Sequence, residues 1–256
     1  MPNFTQRSGE GGRGGRPRRP LLAPGGWTIE RLEGHPGDLH AEPLRSPVTR
    51  QVRWSYPDHV ALVVGRAQRF SSPEDSTVAV VRRASGGGAV LVGPGLQVWA
   101  DVSIPAGDPL WDVDVGRAAW WVGSAWVSAL AGVGVPEASL SVHRGAMERT
   151  PWSDQVCFAG QADGEVLVKR PGGASGSGKS KVVGIAQRRT RFGALFQCAA
   201  MMAWEPVPLL RALGVPSAEA ALAAVELADI ATGLRTLVPR LEEASLEAAF
   251  EAALPA

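Results

Sequence analysis

Two apolar runs joined by a glycine-rich loop constrain the fold of this chain more than any other feature of its sequence. The runs STVAVVRR (76–83) and AVLV (89–92) are short, rich in β-branched residues and bounded by turn-forming residues. This pattern is typical of buried strands. Between the runs stand three consecutive glycines, Gly86, Gly87 and Gly88. The sequence therefore predicts a strand–loop–strand unit.

The three glycines indicate a ligand-binding loop. Glycine between strands weakens a sheet unless the backbone must adopt a positive φ or come close to another group. It also leaves backbone N–H groups exposed, and such groups can form a cradle for an anion. Arg82 and Arg83 precede the loop and could supply charge for a carboxylate or a phosphate. The alternative interpretation is a flexible hairpin that binds nothing.

The remaining pattern predicts an α+β protein, with a mixed β-sheet flanked by helices. Further strands are predicted at 27–33, 57–68, 96–104, 155–159, 164–169, 181–189 and 193–204. The segment 111–132 has apolar residues at mixed spacing and is predicted to be one buried helix, with Asp112 and Asp114 at its positive end. A second helix is predicted from a cap at Ser217, and an amphipathic helix over 241–254.

The composition is that of a globular protein in a reducing compartment. The 256 residues, of which 45% are hydrophobic, suffice for one sizeable domain. No apolar run reaches the roughly 18 to 20 residues that cross a bilayer, and no apolar segment typical of a secretory signal follows the N-terminus. Only two cysteines occur, Cys157 and Cys198, which argues against a disulfide framework and favours a cytoplasmic location.

Positive charge is concentrated at the N-terminus. Residues 1–19 contain five arginines and one acidic residue, whereas the rest of the chain is mildly acidic. Such a tail can contact nucleic acid, but it has too little apolar surface to offset its ordering entropy. We therefore expect a disordered tail at 1–25, a main domain at 26–214 and C-terminal helices packed on it at 215–256.

The segment GASGSGKS (173–180) has the spacing of a phosphate-binding P-loop, G-x-x-x-x-G-K-[ST]. A P-loop requires a helix directly after it. Here KVVGIAQRR (181–189) follows, and its β-branched residues favour a strand. The tract 170–180 is therefore interpreted as a flexible loop of low complexity.

Lys181 and Cys157 are the candidate reactive side chains. A lysine beside the apolar run VVGIA is costly to bury without an anionic or carbonyl partner, and the alternative is an edge-strand lysine that reaches solvent. Cys157 is either a small buried residue or a nucleophile activated by a nearby cation such as Lys181. Asp154 could orient a lysine or hold magnesium, and Cys198 is assigned to the core. The four histidines lack ligand spacing, so no metal site is predicted.

RRASGGGAV (82–90), GPG (93–95) and the later KVVGIAQRR (181–189) together resemble the lipoate–protein ligase A family, within the biotin/lipoyl ligase and octanoyltransferase superfamily. The family signatures are similar to R-R-x-S-G-G-G-A-V and G-K-K-V-x-G-x-A-x-R. VVGRAQ (63–68) resembles an early family strand that ends in a G-x-x-Q turn. The resemblance covers roughly residues 27–210. It implies a biotin/lipoyl ligase catalytic-domain fold, with the acyl chain in a tunnel beside the glycine loop.

The resemblance also implies roles for individual residues. The acyl and phosphate pocket would be lined by residues of the two motifs, namely Arg82, Arg83, Ser85, Gly86, Gly87, Gly88, Ala89, Gly184 and Ala186. Lys181 would contact the activated carbonyl or the phosphate, where a fixed ammonium stabilises a developing oxyanion. Asp154 matches the acidic position of the family loop before the lysine strand.

Two reactions are compatible with this resemblance. In a lipoate–protein ligase, ATP and Mg2+ convert lipoate or octanoate to an acyl-adenylate, which a carrier lysine attacks. In an octanoyltransferase, Cys157 takes octanoate from acyl carrier protein without ATP. The C-F pair at 157–158 resembles the cysteine-bearing loop of one octanoyltransferase branch. The resemblance over the full length favours the ligase.

Two departures from the family pattern bear on this choice. Many relatives have an H-G pair where this chain has Gln197 in FGALFQCAA (192–200). The residues after Pro208 are also too few for the accessory domain of many ligases. A third interpretation is a non-catalytic acyl-binding relative, against which the retained Lys181 argues. A biotin ligase is disfavoured, because the GRGGRPRR stretch (12–19) lies in the tail.

The implied partners are proteins that carry acyl groups. They are lipoyl carrier domains of 2-oxoacid dehydrogenases (E2) or the glycine cleavage carrier protein, and acyl carrier protein if the chain is a transferase. A membrane or a nucleic acid is not an expected partner.

Overall fold

Two β-sheets and their flanking helices make up the fold. The computed structural model describes residues 21–41, 44, 48–73, 76–170 and 178–256. The strands in these residues are β1 (Leu21–Ala23), β2 (Trp27–Gly34), β3 (Gln51–Pro57), β4 (Ala61–Val64), β5 (Ala79–Arg82), β6 (Val90–Val92), β7 (Gln97–Pro105), β8 (Leu140–Val142), β9 (Val166–Lys169), β10 (Lys179–Thr190) and β11 (Gly193–Met201). The α-helices are α1 (Pro36–Ala41), α2 (Trp120–Gly132), α3 (Pro206–Ala212), α4 (Ser217–Ile230), α5 (Leu234–Leu237) and α6 (Glu243–Ala252).

The larger sheet has eight strands in the order β1-β2-β3-β7-β11-β10-β9-β8. Strands β2 and β3 run parallel, and the other neighbours are antiparallel. The smaller sheet has the order β5-β4-β6, in which β4 is parallel to β5 and antiparallel to β6. Mixed sheets with flanking helices confirm the predicted α+β class.

The side chains of β4 alternate between two apolar layers, as the period of two in a strand requires. Leu62 and Val64 belong to a cluster with residues of α3 and α4. Ala61 and Val63 belong to a second cluster, which also contains Trp99 of β7. The smaller sheet therefore packs on helices with one face and on the larger sheet with the other.

The opposite face of the larger sheet is covered by α2 and α6. Aromatic rings from the sheet and both helices meet there, because Trp126 lies 4.2 Å from Phe250 and 6.4 Å from Trp54, measured between ring centroids. All three side chains are fully buried. Burial of such large rings is a major source of stabilisation in a fold of this kind.

The predicted strand at 155–159 is wrong. Val156 forms only an isolated parallel bridge with Ala89, and Cys157–Ala159 form one turn of 3-10 helix. The backbone N–H of Cys157 donates to the carbonyl of Ala89 at 2.8 Å. The apolar run is buried because it packs beside the glycine loop and not because it belongs to a sheet.

The predicted helix at 111–132 begins later than expected, since α2 starts at Trp120 after a 3-10 turn. The carboxylates of Asp112 and Asp114 accept the backbone N–H groups of Asp114 and Gly116, both at 2.8 Å. Aspartate side chains that bond the backbone two residues ahead favour turns, so they delay the helix instead of capping it. At α4, likewise, Ser217 is the first helical residue and Pro216 occupies the cap position.

Two predictions fall partly outside the described residues. The tract 171–177 lies outside them, but Lys179 and Ser180 begin strand β10. A strand where a P-loop requires a helix confirms that GASGSGKS is not a P-loop.

Of the predicted tail, residues 1–20 lie outside the described part, whereas 21–25 form β1 and most of a 3-10 turn. In the described ranges, none of the helices has the length and apolar character needed to cross a membrane.

Candidate active site

A cavity of about 280 Å³ lies between the two sheets. Val90 and Val92 of β6 line one side, and Ile185 of β10 and Ala199 of β11 line the other. Alternation along β6 turns Val90 and Val92 to the same side. A largely apolar cavity with a few converging polar groups is the usual form of a small-molecule site.

The glycine loop, residues 85–88, stands at this cavity. Gly87 has a φ of +94°, a conformation that glycine adopts without a steric penalty. A Cβ atom on Gly88 would lie 2.5 Å from the backbone nitrogen of Val156. A Cβ atom on Gly86 would have no heavy atom within 4 Å. Close packing therefore explains why residue 88 is a glycine, and the positive φ explains why residue 87 is one. Gly86 is required by neither, because it borders open space.

The loop offers unpaired hydrogen-bond donors to the cavity. Within the described residues, the N–H groups of Gly86, Gly87 and Gly88 donate no hydrogen bond, and the buried Oγ of Ser85 has no partner. The next N–H, of Ala89, is already paired with the carbonyl of Gln155 at 2.7 Å. Three successive free N–H groups can bind a negatively charged oxygen.

The two arginines before the loop face different surroundings. Arg83 is buried, and its Nη2 donates to the carbonyls of Gly86 and Gly88, each at 2.7 Å. Arg82 points away from the cavity and donates to the carbonyls of Gly65 and Gln68 at 2.7 and 2.9 Å. Arg83 thus shapes the glycine loop, whereas Arg82 holds the turn of the predicted G-x-x-Q motif.

Lys181 lines the cavity wall and is only 1% exposed. Its Nζ donates to Glu165 Oε1 at 2.7 Å and to the carbonyls of Gly160 and Cys157 at 2.9 and 3.0 Å. These contacts use all three donors of the ammonium group. The anionic and carbonyl partners that its burial requires are therefore present, and the edge-strand alternative is wrong. A substrate oxygen could therefore bind this ammonium only if it displaced one of the three partners or shared an N–H donor with one of them.

Phe158 and Gly184 complete the environment of the lysine. The Lys181 ammonium lies 4.8 Å from the centroid of the Phe158 ring. A Cβ atom on Gly184 would lie 3.2 Å from that ring and 3.4 Å from Lys181 Cε. The glycine of the second motif therefore makes room for the lysine and the phenylalanine, and Gly184 and Ala186 both line the cavity.

Cys157 lines the same cavity, half-buried, at the start of the one-turn helix. Its neighbours are the glycine loop on one side and the Lys181 ammonium on the other. Cys198 also borders the cavity but is fully buried, and burial raises the pKa of its thiol to about 12. This confirms Cys198 as a core residue and leaves Cys157 as the cysteine suited to nucleophilic chemistry.

Asp154 does not lie with the other candidates. Its side chain is 85% exposed and forms an ion pair with Arg149 on the surface, and it is absent from the cavity lining. Gln197 does line the cavity. Its Nε2 donates to Asp101 Oδ1 at 3.4 Å, and the same carboxylate pairs with the buried Arg53.

Sequence reasoning missed several residues at the cavity. Glu165 gave one usable signal, an acid at the edge of a buried strand. His40 and Gln97 gave none, because His40 lies in a short helix and Gln97 at the start of a strand with no motif around it. Burial, and then the charge of Arg83, lowers the pKa of His40 to about 3. Its imidazole is therefore neutral at pH 7.

No metal cluster accompanies these groups. In the part of the chain that the structure describes, no three His, Cys, Asp or Glu side chains lie where they could together hold a metal ion.

Solved structures with a similar fold include lipoate–protein ligases. The bi-partite lipoate protein ligase of Thermoplasma acidophilum has a TM-score of 0.62 at 16% identity, over 88% of this chain and 80% of that one. A T. acidophilum structure with bound lipoic acid has a TM-score of 0.56 at 14% identity, over 84% and 74%. A lipoate-protein ligase A bound with ATP has a TM-score of 0.51 at 15% identity, over 79% and 70%. These likenesses establish a lipoate ligase type of catalytic-domain fold.

The sequence itself identifies the family. Residues 44–254 match the family described as Lipoyl protein ligase A/B catalytic domain. The chain belongs to this family, which confirms the resemblance carried by its two motifs. No curated protein sequence matches the chain significantly.

Proposed function

We propose that this protein attaches a lipoyl or octanoyl group to a lysine of a lipoyl carrier domain. The observation that carries the proposal is the position of three free N–H groups, from Gly86, Gly87 and Gly88, at the edge of an apolar cavity next to Lys181 and Cys157. The cavity would hold the acyl chain. The free N–H groups would stabilise the oxygen that becomes negative when the acyl carbonyl is attacked.

The ligase route proceeds through an acyl-adenylate. The acyl carboxylate attacks the α-phosphate of ATP and pyrophosphate leaves, after which the carrier lysine displaces AMP and forms the amide. The unpaired donors of the glycine loop and the Ser85 hydroxyl would fit a phosphate, because they belong to residues that line the cavity and have no partner in the described chain. The ATP-bound ligase with a similar fold supports this route. Mg2+ would accompany the nucleotide.

The transferase route uses Cys157, and one observation favours it: the thiol-bearing residue lines the cavity beside the glycine loop. The Cys157 sulfur attacks the thioester carbonyl of octanoyl acyl carrier protein, whose thiol leaves with a proton. The carrier lysine then attacks the enzyme thioester, which forms the amide and returns the Cys157 thiol. Neither ATP nor Mg2+ takes part.

The position of Asp154 bears on both routes. An exposed carboxylate paired with an arginine is poorly placed to orient Lys181 or to bind a nucleotide-associated magnesium in the cavity. The roles proposed here for the acyl pocket therefore rest on Ser85, the three glycines, Gly184 and Ala186, without Asp154.

Intact-mass measurement of the reaction partners tests the proposal. Purified protein is incubated with an apo lipoyl domain of a 2-oxoacid dehydrogenase, either with ATP, Mg2+ and lipoate or octanoate, or with octanoyl acyl carrier protein alone. Cys157→Ala is measured beside wild type, and Cys198→Ala is the matched control because it removes the other thiol. The carrier protein of the glycine cleavage system provides a second acceptor.

The outcomes separate the interpretations. ATP-dependent modification that survives Cys157→Ala supports the ligase. ATP-free transfer, with an acyl adduct on the enzyme that disappears in Cys157→Ala but not in Cys198→Ala, supports the transferase. Failure to modify either carrier under both conditions, with acyl binding retained, supports the non-catalytic relative and contradicts the proposal.

A further inference from the structure

The cavity has a second set of unpaired polar groups besides those of the glycine loop. Gln97 is only 4% exposed, lines the cavity and has no partner in the described residues for its amide Nε2. His40 also lines the cavity, and neither of its ring nitrogens has a partner in the same residues. We call Gln97 and His40 the polar end of the cavity.

Strand β6 separates Gln97 from the glycine loop. From Val90 to Val92 the strand advances about 7 Å, at about 3.3 Å per residue, and the glycine loop precedes its first residue. Directly after Val92, the N–H of Gly93 donates to Gln97 Oε1 at 3.3 Å. This bond fixes the amide of Gln97 at the end of β6 that lies farthest from the glycine loop. The unpaired Nε2 is thus a donor near one end of the cavity.

His40 lies against the same part of the larger sheet. Its ring stacks on Trp99 with 4.2 Å between centroids. Trp99 and Gln97 are two residues apart on β7, so their side chains project from the same face. A neutral imidazole provides one N–H donor and one acceptor nitrogen. The polar end therefore combines an amide donor with an imidazole that can donate or accept.

An acyl chain that enters the cavity with its carbonyl at the glycine loop would bring its far end towards Gln97, on the strand that also carries Trp99 beneath the His40 ring. A plain methyl end would leave their buried donors without a partner and would exclude water from them, which is unfavourable. A sulfur atom is a weak acceptor and relieves part of this cost. Sites that contain a donor for the substrate discriminate against analogues without the matching acceptor.

We propose that Gln97 and His40 determine acyl specificity, favouring chains with a hydrogen-bond acceptor near the far end, such as the paired sulfurs of a lipoyl group, over octanoyl. This inference rests on the proposed function, because it assumes that the cavity holds the acyl chain. Neither residue touches the reacting carbonyl, so both are specificity determinants and not catalytic residues.

Equilibrium binding of lipoate and of octanoate to the full-length protein tests the inference. Isothermal titration calorimetry gives the two dissociation constants for wild type, Gln97→Leu and His40→Phe. Gln97→Leu removes the amide donor at similar volume, and His40→Phe keeps a ring against Trp99 without its nitrogens. His40→Phe also leaves the bond to Gly93 intact, so it remains informative if Gln97→Leu disturbs that turn. Thermal unfolding of each variant checks the fold.

The readout is the ratio of the two affinities, because general loss of packing weakens both ligands alike. We expect wild type to prefer lipoate, and each variant to reduce that preference about tenfold, which corresponds to about 1.4 kcal/mol. Tighter octanoate binding should account for part of the change. An unchanged ratio in both variants overturns the inference while leaving acyl binding, and thus the proposed function, intact. If wild type binds neither acid, the assignment of the cavity fails as well.

Discussion

Replacing Lys181 by methionine should destabilise the fold strongly, because the lysine is almost fully buried and is held there by an ion pair and by hydrogen bonds. The variant leaves the carboxylate of Glu165, 5% exposed, without its cation. It also leaves the carbonyls of Cys157 and Gly160 without their donor. Removing one partner of a buried ion pair costs about 3–5 kcal/mol. Since a domain is stable by about 5–15 kcal/mol in total, this is a large fraction of the free energy of unfolding.

The double variant Lys181→Met with Glu165→Gln should be less destabilised than Lys181→Met alone. Glutamine removes the uncompensated charge and keeps one of the two acceptor oxygens. In Glu165 the backbone N–H of Ala162 donates to Oε2 at 2.7 Å and that of Ile185 donates to Oε1 at 3.3 Å, so the amide oxygen can replace the shorter of these two bonds. Urea denaturation of the four proteins gives the coupling free energy. Lys169→Met, on the exposed end of β9, is the control and should stay within about 0.5 kcal/mol of wild type.

A cost below about 1 kcal/mol for Lys181→Met, or a double variant that costs the sum of the two single ones, would show that Lys181 and Glu165 do not stabilise each other as a buried ion pair. The same experiment decides how a loss of activity in a Lys181 variant is understood. If the variant is partly unfolded at the assay temperature, lost activity says nothing about contact between the lysine and the substrate.

Gly86→Ala should retain the wild-type midpoint of thermal unfolding but weaken acyl or nucleotide binding in calorimetry. Gly88→Ala should lower the midpoint, because its Cβ would collide with the backbone. Equal midpoints for the two variants would contradict the role of close packing at Gly88. Burial tends to raise the pKa of Asp108, but hydrogen bonds from Arg50 and a backbone N–H outweigh it and lower that pKa. The resulting stabilisation is present above the unfolded pKa of about 3.9 and is lost as pH falls through the folded pKa, so Asp108→Asn should flatten the acid side of a stability–pH curve. Asp154→Ala should change the free energy of unfolding by less than about 1 kcal/mol, as is usual for exposed ion pairs. A large fall in carrier modification in this variant would instead show that Asp154 has the binding role that its motif position implies.

The glycine loop could be predicted from the sequence because its signal is local. Two β-branched runs and three glycines require strands and a tight connection whatever surrounds them. The reason for Gly88 could not be predicted, since it depends on Val156, which is distant in sequence and adjacent in space. The same contact explains the wrong strand at 155–159. A short buried apolar run has no periodicity that separates strand from turn, and its burial here comes from the glycine loop.

The partners of Lys181 illustrate the same limit. That the lysine needs an anion or carbonyls follows from the cost of burying an ammonium group. Which groups satisfy it depends on the pairing of β9 with β10 and on the path of residues 157–160, and neither is encoded near Lys181. His40 and Gln97 were missed for a related reason, because an unpaired side chain in a cavity has no sequence pattern of its own.

The two family motifs meet at one segment, residues 157–160, and this explains how they depend on each other. The first motif holds the segment through Ala89, whose carbonyl accepts the N–H of Cys157 at 2.8 Å. The second motif holds it through Lys181, whose ammonium binds the carbonyls of Cys157 and Gly160. Cys157 is therefore fixed at the cavity whether or not its sulfur reacts. A Lys181 variant would displace this segment and impair both proposed routes, so loss of activity in Lys181→Ala cannot distinguish them, whereas ATP dependence measured in Cys157→Ala can.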